Sequence, residues 1–485
     1  MFGLAEGMMH GLIDRLGTVA ALAQHGEGSA HDVPLWVTLV FTGILVAMIL
    51  ALAFEEKLHA KKSVIVGIFA MISLFLGAVF QLLPFDEFRI GDHAIHIPVY
   101  IPAIDWEVIA IILGSSLFVD LTSRSGLFTW VAIKLTKASR GDPLILLWCY
   151  GLMTVVFSAV LNNVTAMIIV GSLTGVSLSK LGKRDKLLGF LLIEGLLTNV
   201  GGLLTLISSV PNIIVGNAAE ISFVRFFVTA APYVVVATVA TIFMGAKLFG
   251  IRRVVDADER EEAERLVSSF DENDGIESPG FFWFGAAMTG LFILVIATAS
   301  QLPYISNLQL GFVALGFAAI MLVRYKASAD KFYAALDWDL LGFFGGLFIV
   351  INVMEHAQVL GVIGSGLEHV IAMGEAVGGA SLLVLGAAAS SVTDNIPLAA
   401  MLSKILAAQP DIASDPESPF WWAVVFGANL GGNLTPIGSA STLVAVTIMH
   451  KQGLKIGFAS FVKRALPFAL MQLAMAVLYV VLFLR

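Results

Sequence analysis

The sequence predicts an all-α polytopic membrane protein with two inverted-topology repeats, each carrying a re-entrant hairpin and a broken transmembrane helix. Three observations predict this. The 485 residues are 58% hydrophobic and 13% charged, and apolar runs of about 20 residues, enough to cross ~30 Å of hydrocarbon, recur throughout. Residues 199–212, NVGGLLTLISSVPN, are nearly copied at 429–442, NLGGNLTPIGSAST. The Lys/Arg-rich loops around the two copies fall on opposite sides of their apolar segments.

Taken in order, residues 1–33 read as an amphipathic N-terminal segment rather than a cleaved signal, because Asp14 and Arg15 interrupt the apolar part. Residues 34–104 hold scaffold helices, with spans expected at 34–53 and 63–83. A first repeat covers 105–235 and opens with a span at 106–121. KLTKASR (134–140) and SKLGKRDK (179–186) are both basic, so the apolar stretch 143–179 between them enters and leaves on the cytoplasmic side. That makes it a re-entrant hairpin, with its tip at Leu161-Asn162-Asn163-Val164. The broken helix 187–216 and a span at 226–249 follow, then an acidic cytoplasmic loop, 250–279, expected to be a solvated linker. Scaffold helices (280–336) hold spans at 281–300 and 308–323.

The second repeat, 337–470, follows the first at a near-constant offset. Trp106 and Trp338 are 232 positions apart, as are Asn163 and Asn395; Asn199 and Asn429 are 230 apart, Pro232 and Pro467 are 235 apart. It has a span at 338–354, a hairpin at 380–407 with its tip at Asp394-Asn395-Ile396-Pro397, and a broken helix at 419–448. PDIASDPESP after this hairpin carries no Lys or Arg and reads as external, whereas His450, Lys451 and Lys455 read as cytoplasmic. The last transmembrane helix lies within 465–485.

A Gly-Gly pair beside Asn, Thr and Ser breaks a helix and frees its backbone groups. In lipid each unpaired group costs several kcal/mol, so such breaks persist only where they are buried in protein or line a cavity. Two breaks at matching positions in two halves point to a transporter's binding site near the bilayer midplane. The candidate binding residues of repeat one are Ser158, Asn162, Asn163, Thr165, Asn199, Gly202 and Thr205, with Ser208 and Ser209 nearby. Those of repeat two are Thr393, Asp394, Asn395, Asn429, Gly432, Asn433, Thr435 and Ser439. Amide, hydroxyl and backbone oxygens suit Na⁺, while the helix N-termini left by the breaks suit an anion. Asp394 stands out, because a carboxylate deep in a membrane segment is a functional group by default. It also suits a helix cap. Glu194 is a second candidate proton-linked group, or else a partner for a basic residue such as Lys186. Asp120 has Arg124 four residues on and reads as a structural pair. The single cysteine, Cys149, excludes an internal disulfide and a cysteine-cluster metal site. No nucleic-acid partner, enzymatic activity or cofactor is expected: nothing is strongly basic, and no HExxH or nucleophile–His–Asp set occurs.

The motifs DWEVIAIILGSSLFVDLTSRSGLFTWVAIKL (105–135), LNNVTAMIIVGSL (161–173), LTNVGGLLTLISSVPNIIVGNAAEISF (197–223), DWDLLGFFGGLFIV (337–350), TDNIPLAAML (393–402) and ANLGGNLTPIGSAST (428–442) resemble the ion transporter superfamily. The resemblance runs from about 34 to 485 and is to the citrate-transporter-like branch of arsenite permeases, NhaD-type sodium/proton antiporters and the melanosomal P protein. It implies a scaffold domain and a mobile transport domain holding both hairpins, elevator-like alternating access and a homodimer. It further implies that Asn162, Asn163, Asn199, Asp394, Asn395 and Asn429 line the site. Related dicarboxylate carriers have Ser-Asn-Thr at both tips; here the tips read Asn-Asn-Val-Thr and Asp-Asn-Ile-Pro. An aspartate there repels a carboxylate substrate unless it is protonated or cation-bound. The expected function is a secondary active Na⁺(Li⁺)/H⁺ antiporter in a bacterial cytoplasmic (inner) membrane, with Na⁺ held by Asn163, Asn199, Asp394, Asn395 and Asn429. The alternative is an anion or arsenite permease coupled to Na⁺ or H⁺.

Overall fold

The computed structural model describes residues 33–83, 88–90, 93–95 and 97–484; the proposed N-terminal amphipathic segment lies almost wholly outside them. Nine helices among the described residues are long and apolar enough to cross a membrane. The regular structure of the described residues is otherwise helical but for a two-stranded antiparallel pair, Phe88–Ile90 with His93–Ile95, which the sequence did not lead us to expect. Two compact units arise: one combines the chain before residue 106 with 342–374, the other 106–341 with 375–485. Both hairpins and both broken helices belong to the second unit.

Local chemistry sets the hairpin turns. Asp142 accepts from the backbone N–H groups of Leu144 and Ile145 (2.9 and 3.1 Å), and Pro143 begins the helix Pro143–Val160. Leu161 and Asn162 form the extended tip, and the Asn162 side chain caps the return helix Asn163–Lys180 by accepting from Thr165 N at 2.8 Å. In the second hairpin the arms are Gly374–Ser390 and Asn395–Ala407, so the first begins earlier than expected. Asp394 is its cap, accepting from Ile396 N at 3.0 Å. The first broken helix runs Leu187–Gly202 and resumes at Val210–Ala218; the second runs Pro419–Gly431 and resumes at Ala440–Lys451. Every residue of Pro419–Gly431 is buried, as a helix apolar on all sides requires.

The matched residues make matched contacts. Ser158 Oγ donates to the Thr198 carbonyl at 2.7 Å, and Ser390 Oγ to the Ala428 carbonyl at 2.6 Å. Thr205 Oγ1 donates to the Ala159 carbonyl at 2.5 Å, and Thr435 Oγ1 to the Ser391 carbonyl at 2.6 Å. Each hairpin is thus bound to the broken helix after it by hydroxyls that bond backbone carbonyls near the hairpin turn and near the helix break. The close approach requires glycine: a Cβ on Gly201 would stand 2.7 Å from Val155 Cα, and one on Gly431 2.7 Å from Ser390 Cβ. The proline-bearing helices Phe223–Leu248 and Phe458–Phe483 also meet, with Tyr479 OH donating to the Thr229 carbonyl at 2.6 Å.

The acidic loop is not the solvated linker its composition suggests. It forms a helix, Ala257–Ser268, whose Ala263 and Val267 are buried together with Phe270 beyond it. Val254 N donates to Asp142 Oδ2 at 3.2 Å, fastening the segment to the start of the first hairpin. Lys134 (2.6 Å) and Lys137 both bond Glu272, Lys183 bonds Glu259, and Lys180 lies over the Phe270 ring at 4.1 Å. The two lysines hold the Glu272 carboxyl down from an ordinary 4.5 to about 2. A depressed carboxylate contributes stability that is present above its unfolded value and is lost as pH falls through the folded one. Limited proteolysis within 254–276 is therefore expected to be unchanged from pH 8 to 5 and to accelerate between about pH 4.5 and 2. Molar salt at pH 7 is expected to give the same acceleration, since these pairs are partly exposed and screened.

Candidate functional site

The interruptions open a cavity of about 380 Å³ inside the second unit. Its wall takes Ser115, Ser116, Asp120 and Ser123 from the helix Trp106–Ser123, Asn162–Thr165 from the first tip and Asn199 from the first broken helix. Residues 207–211 at the first break, Asn395 and Ile396 at the second tip, Ser439–Ser441 at the second break and Asp337 complete it. The N-termini of four helices, starting at Asn163, Val210, Asn395 and Ala440, thus open on one space.

Side-chain amides knit the wall. Asn163 Nδ2 reaches Asn199 Oδ1 at 3.4 Å, and the other end of the Asn163 amide lies 2.6 Å from Ser158 Oγ, whose single proton is shared with the Thr198 carbonyl. Asn199 Nδ2 donates to Ser439 Oγ at 2.9 Å; Ser209 Oγ donates to Asn429 Oδ1 at 2.7 Å. These two bonds join equivalent positions crosswise: each asparagine reaches the serine that lies ten residues after the other repeat's asparagine. Ser441 Oγ also donates to Asn199 Oδ1 at 2.9 Å. Asn429 Nδ2 is occupied by Asn212 Oδ1 and the Val425 carbonyl, at 2.9 and 2.8 Å.

Of the residues expected at the site, Asn162, Asn163, Thr165, Asn199, Asn395 and Ser439 reach the cavity wall. Ser158, Thr205 and Thr435 lie behind it, tying hairpins to broken helices. Gly202 and Gly432 stand at the breaks, off the wall, and Thr393 bonds the Ala389 carbonyl at 2.8 Å. Asp394 is at the second tip, next to the wall residue Asn395 rather than in the wall. Asn429 and Asn433 are buried behind it. Of the five expected Na⁺ ligands, Asn163, Asn199 and Asn395 therefore share the cavity. Glu194 is fully buried away from the wall, accepting from Thr174 Oγ1 at 2.6 Å. Lys186 pairs instead with Asp185 at 3.2 Å.

Asp120 and Asp337 were not expected in the wall. The anticipated Asp120–Arg124 pair forms, at 3.7 Å, yet Asp120 also faces the cavity, while the Arg124 guanidinium lies over the Phe332 ring at 4.6 Å. Asp337 caps the helix Trp338–His356 by accepting from Leu340 N at 3.0 Å. Asp120 stood out in sequence only as the partner of Arg124, and nothing there indicated which way either acid faced.

Comparison with known proteins agrees with this architecture. An uncharacterized transporter of Mycobacterium tuberculosis is 29% identical over 382 residues, 78% of this chain and 86% of that protein. The P protein of Homo sapiens is 24% identical over 457 residues, 78% of this chain and 53% of that one. The crystal structure of the YdaH transporter of Alcanivorax borkumensis, described as having an unusual topology, superposes with a TM-score of 0.57 at 14% identity, over 87% of this chain and 98% of that one. That likeness establishes a shared fold. The family described as citrate transporter, CitMHS, matches residues 49–427. The chain therefore belongs to the CitMHS citrate-transporter family of the ion transporter superfamily, and is a multi-pass membrane transporter.

Proposed function

We propose that the protein is a secondary active carrier that exchanges Na⁺ or Li⁺ for H⁺, with the cation entering the cavity walled by Asn163, Asn199, Asn395 and Asp120. One observation carries this reading. The cavity wall holds two carboxylates, Asp120 and Asp337, and many amide and hydroxyl oxygens, with no Lys, Arg or His among its described residues. Such a wall attracts a cation and offers hard oxygen ligands in place of shed water; a multiply charged carboxylate would find no countercharge there. Asp394 and Glu194 are the groups assigned to carry the proton. The crosswise bonds between repeats fit inverted repeats that move together as one transport body, in an elevator-like cycle within a homodimer of a bacterial inner membrane.

The test is proton movement in proteoliposomes under imposed Na⁺, Li⁺ and K⁺ gradients. Flux with Na⁺ and Li⁺ but not K⁺ is expected, and Asp120→Asn should raise the Na⁺ KM about tenfold through loss of the cavity charge. A second reading has its own observation: four helix N-termini meet at the cavity, a geometry suited to an anion. It makes the protein a Na⁺- or H⁺-coupled permease for an anion or arsenite. Citrate or arsenite uptake that depends on Na⁺, without cation-driven proton flux in its absence, would establish that reading over exchange.

A further inference from the structure

Behind the cavity wall runs a line of buried amides that the exchange reading leaves unused. Gln472 is fully buried in the helix Phe458–Phe483. Its Nε2 donates to Thr241 Oγ1 at 3.0 Å, and its Oε1 accepts from Asn433 Nδ2 at 2.8 Å. Asn433 Nδ2 gives its second proton to the Leu196 carbonyl at 3.1 Å. A carbonyl can only accept, so this end of the Asn433 amide is its nitrogen, and Oδ1 points the other way. There it accepts from Asn199 Nδ2 at 2.8 Å. The same logic then turns Asn199: with its nitrogen fixed, Oδ1 faces Asn163 Nδ2 and Ser441 Oγ, both in the cavity wall.

We propose that Gln472 and Asn433 are positioning residues that aim the Asn199 amide oxygen into the cavity as a cation ligand. A flipped Asn199 would offer a cation two N–H protons instead. The relay exists once. The position of repeat one equivalent to Asn433 is Leu203, and that equivalent to Gln472 is Ala237, both apolar. Asn429, the counterpart of Asn199, is correspondingly held by Asn212 and the Val425 carbonyl and does not reach the wall. The two repeats thus share a backbone plan, while a pair of polar residues in one selects which asparagine serves the cavity. Asn433, expected as a ligand, acts through Asn199.

The inference rests on the cation reading, and the experiment separates the two. Gln472→Leu, Thr241→Val and Thr241→Ser are purified, checked for a monodisperse elution profile and assayed for Na⁺-driven proton flux and for the rise in melting temperature with Na⁺. Gln472→Leu is expected to raise the Na⁺ KM about tenfold with kcat little changed, as loss of an outer-shell partner does. Thr241→Val is expected to raise it less, and Thr241→Ser to restore it. A merely structural role would lower kcat and yield together and leave KM in place. If Gln472→Leu does not fold, the two Thr241 variants decide. A wild-type protein that responds to Na⁺ beside variants with unchanged KM overturns the relay and leaves the exchange reading standing. A wild-type protein that responds to neither Na⁺ nor Li⁺ in either assay removes the cation reading and the relay with it.

Discussion

Asp394→Asn is expected to abolish cation-dependent proton flux while leaving yield and melting temperature close to wild type. The argument lies in the comparison of the two hairpin tips. Each tip needs a side-chain oxygen to cap its return helix: Asp394 accepts from Ile396 N at 3.0 Å, and Asn162 from Thr165 N at 2.8 Å. Asparagine and aspartate are nearly equal as caps, and the first tip shows an amide doing this work. The cap itself can therefore be supplied without the charge that only the second tip carries. Holding a carboxylate at a tip inside an apolar segment is unfavourable, which marks it as functional. What the substitution removes is a group able to exchange a proton for a cation beside Asn395. Full Na⁺-dependent flux in the variant would end the assignment of Asp394 to proton coupling.

Gly431→Ala, and to a lesser degree Gly201→Ala, should be strongly damaging single methyl additions where hairpin and broken helix meet. A Cβ at 431 would press into the Ala387 carbonyl oxygen and lie 2.7 Å from Ser390 Cβ; one at 201 meets Val155 Cα and its carbonyl oxygen at 2.7 Å. These neighbours are hairpin backbone and cannot rotate away as a side-chain tip does. Overpacking of this kind costs on the order of 1–3 kcal/mol, and here it also parts Ser390 from the Ala428 carbonyl. We expect a melting temperature several degrees lower and a loss of transport, both measured on protein purified in detergent. An unchanged melting temperature for Gly431→Ala would show that the hairpin and the broken helix are less closely packed than described.

Much of this architecture was written in the residues. Gly-Gly breaks and paired Asn and Asp tips have few uses in a membrane helix, so they marked both hairpins and both interruptions before any coordinates. What escaped was orientation and distance. Asp120 was legible as the partner of Arg124, four residues on, but the rotation that brings it to the cavity depends on tertiary packing. The acidic segment looked solvated because its partners are far away in sequence: Glu272 is 138 residues from Lys134. Gln472 left almost no signal, being one amide in a long apolar helix whose partner lies 39 residues away. Which way the Asn433 amide points is fixed by a backbone carbonyl, Leu196, which no motif can encode.

The relay through Gln472 also bears on how the protein is made. Polypeptide leaves the ribosome N-terminal end first. Asn199, Ser209 and Asn212 are buried in the finished molecule, and their amide or hydroxyl partners include Asn433, Ser439 and Asn429. When the first repeat has been threaded into the membrane, those partners have not yet been translated. The nascent first half therefore waits with polar groups in apolar surroundings, shielded by insertion machinery or by water, until more than 200 further residues arrive. A transcript truncated ahead of the second break would yield a half-molecule that cannot close this network, leaving a substrate for membrane quality-control proteases.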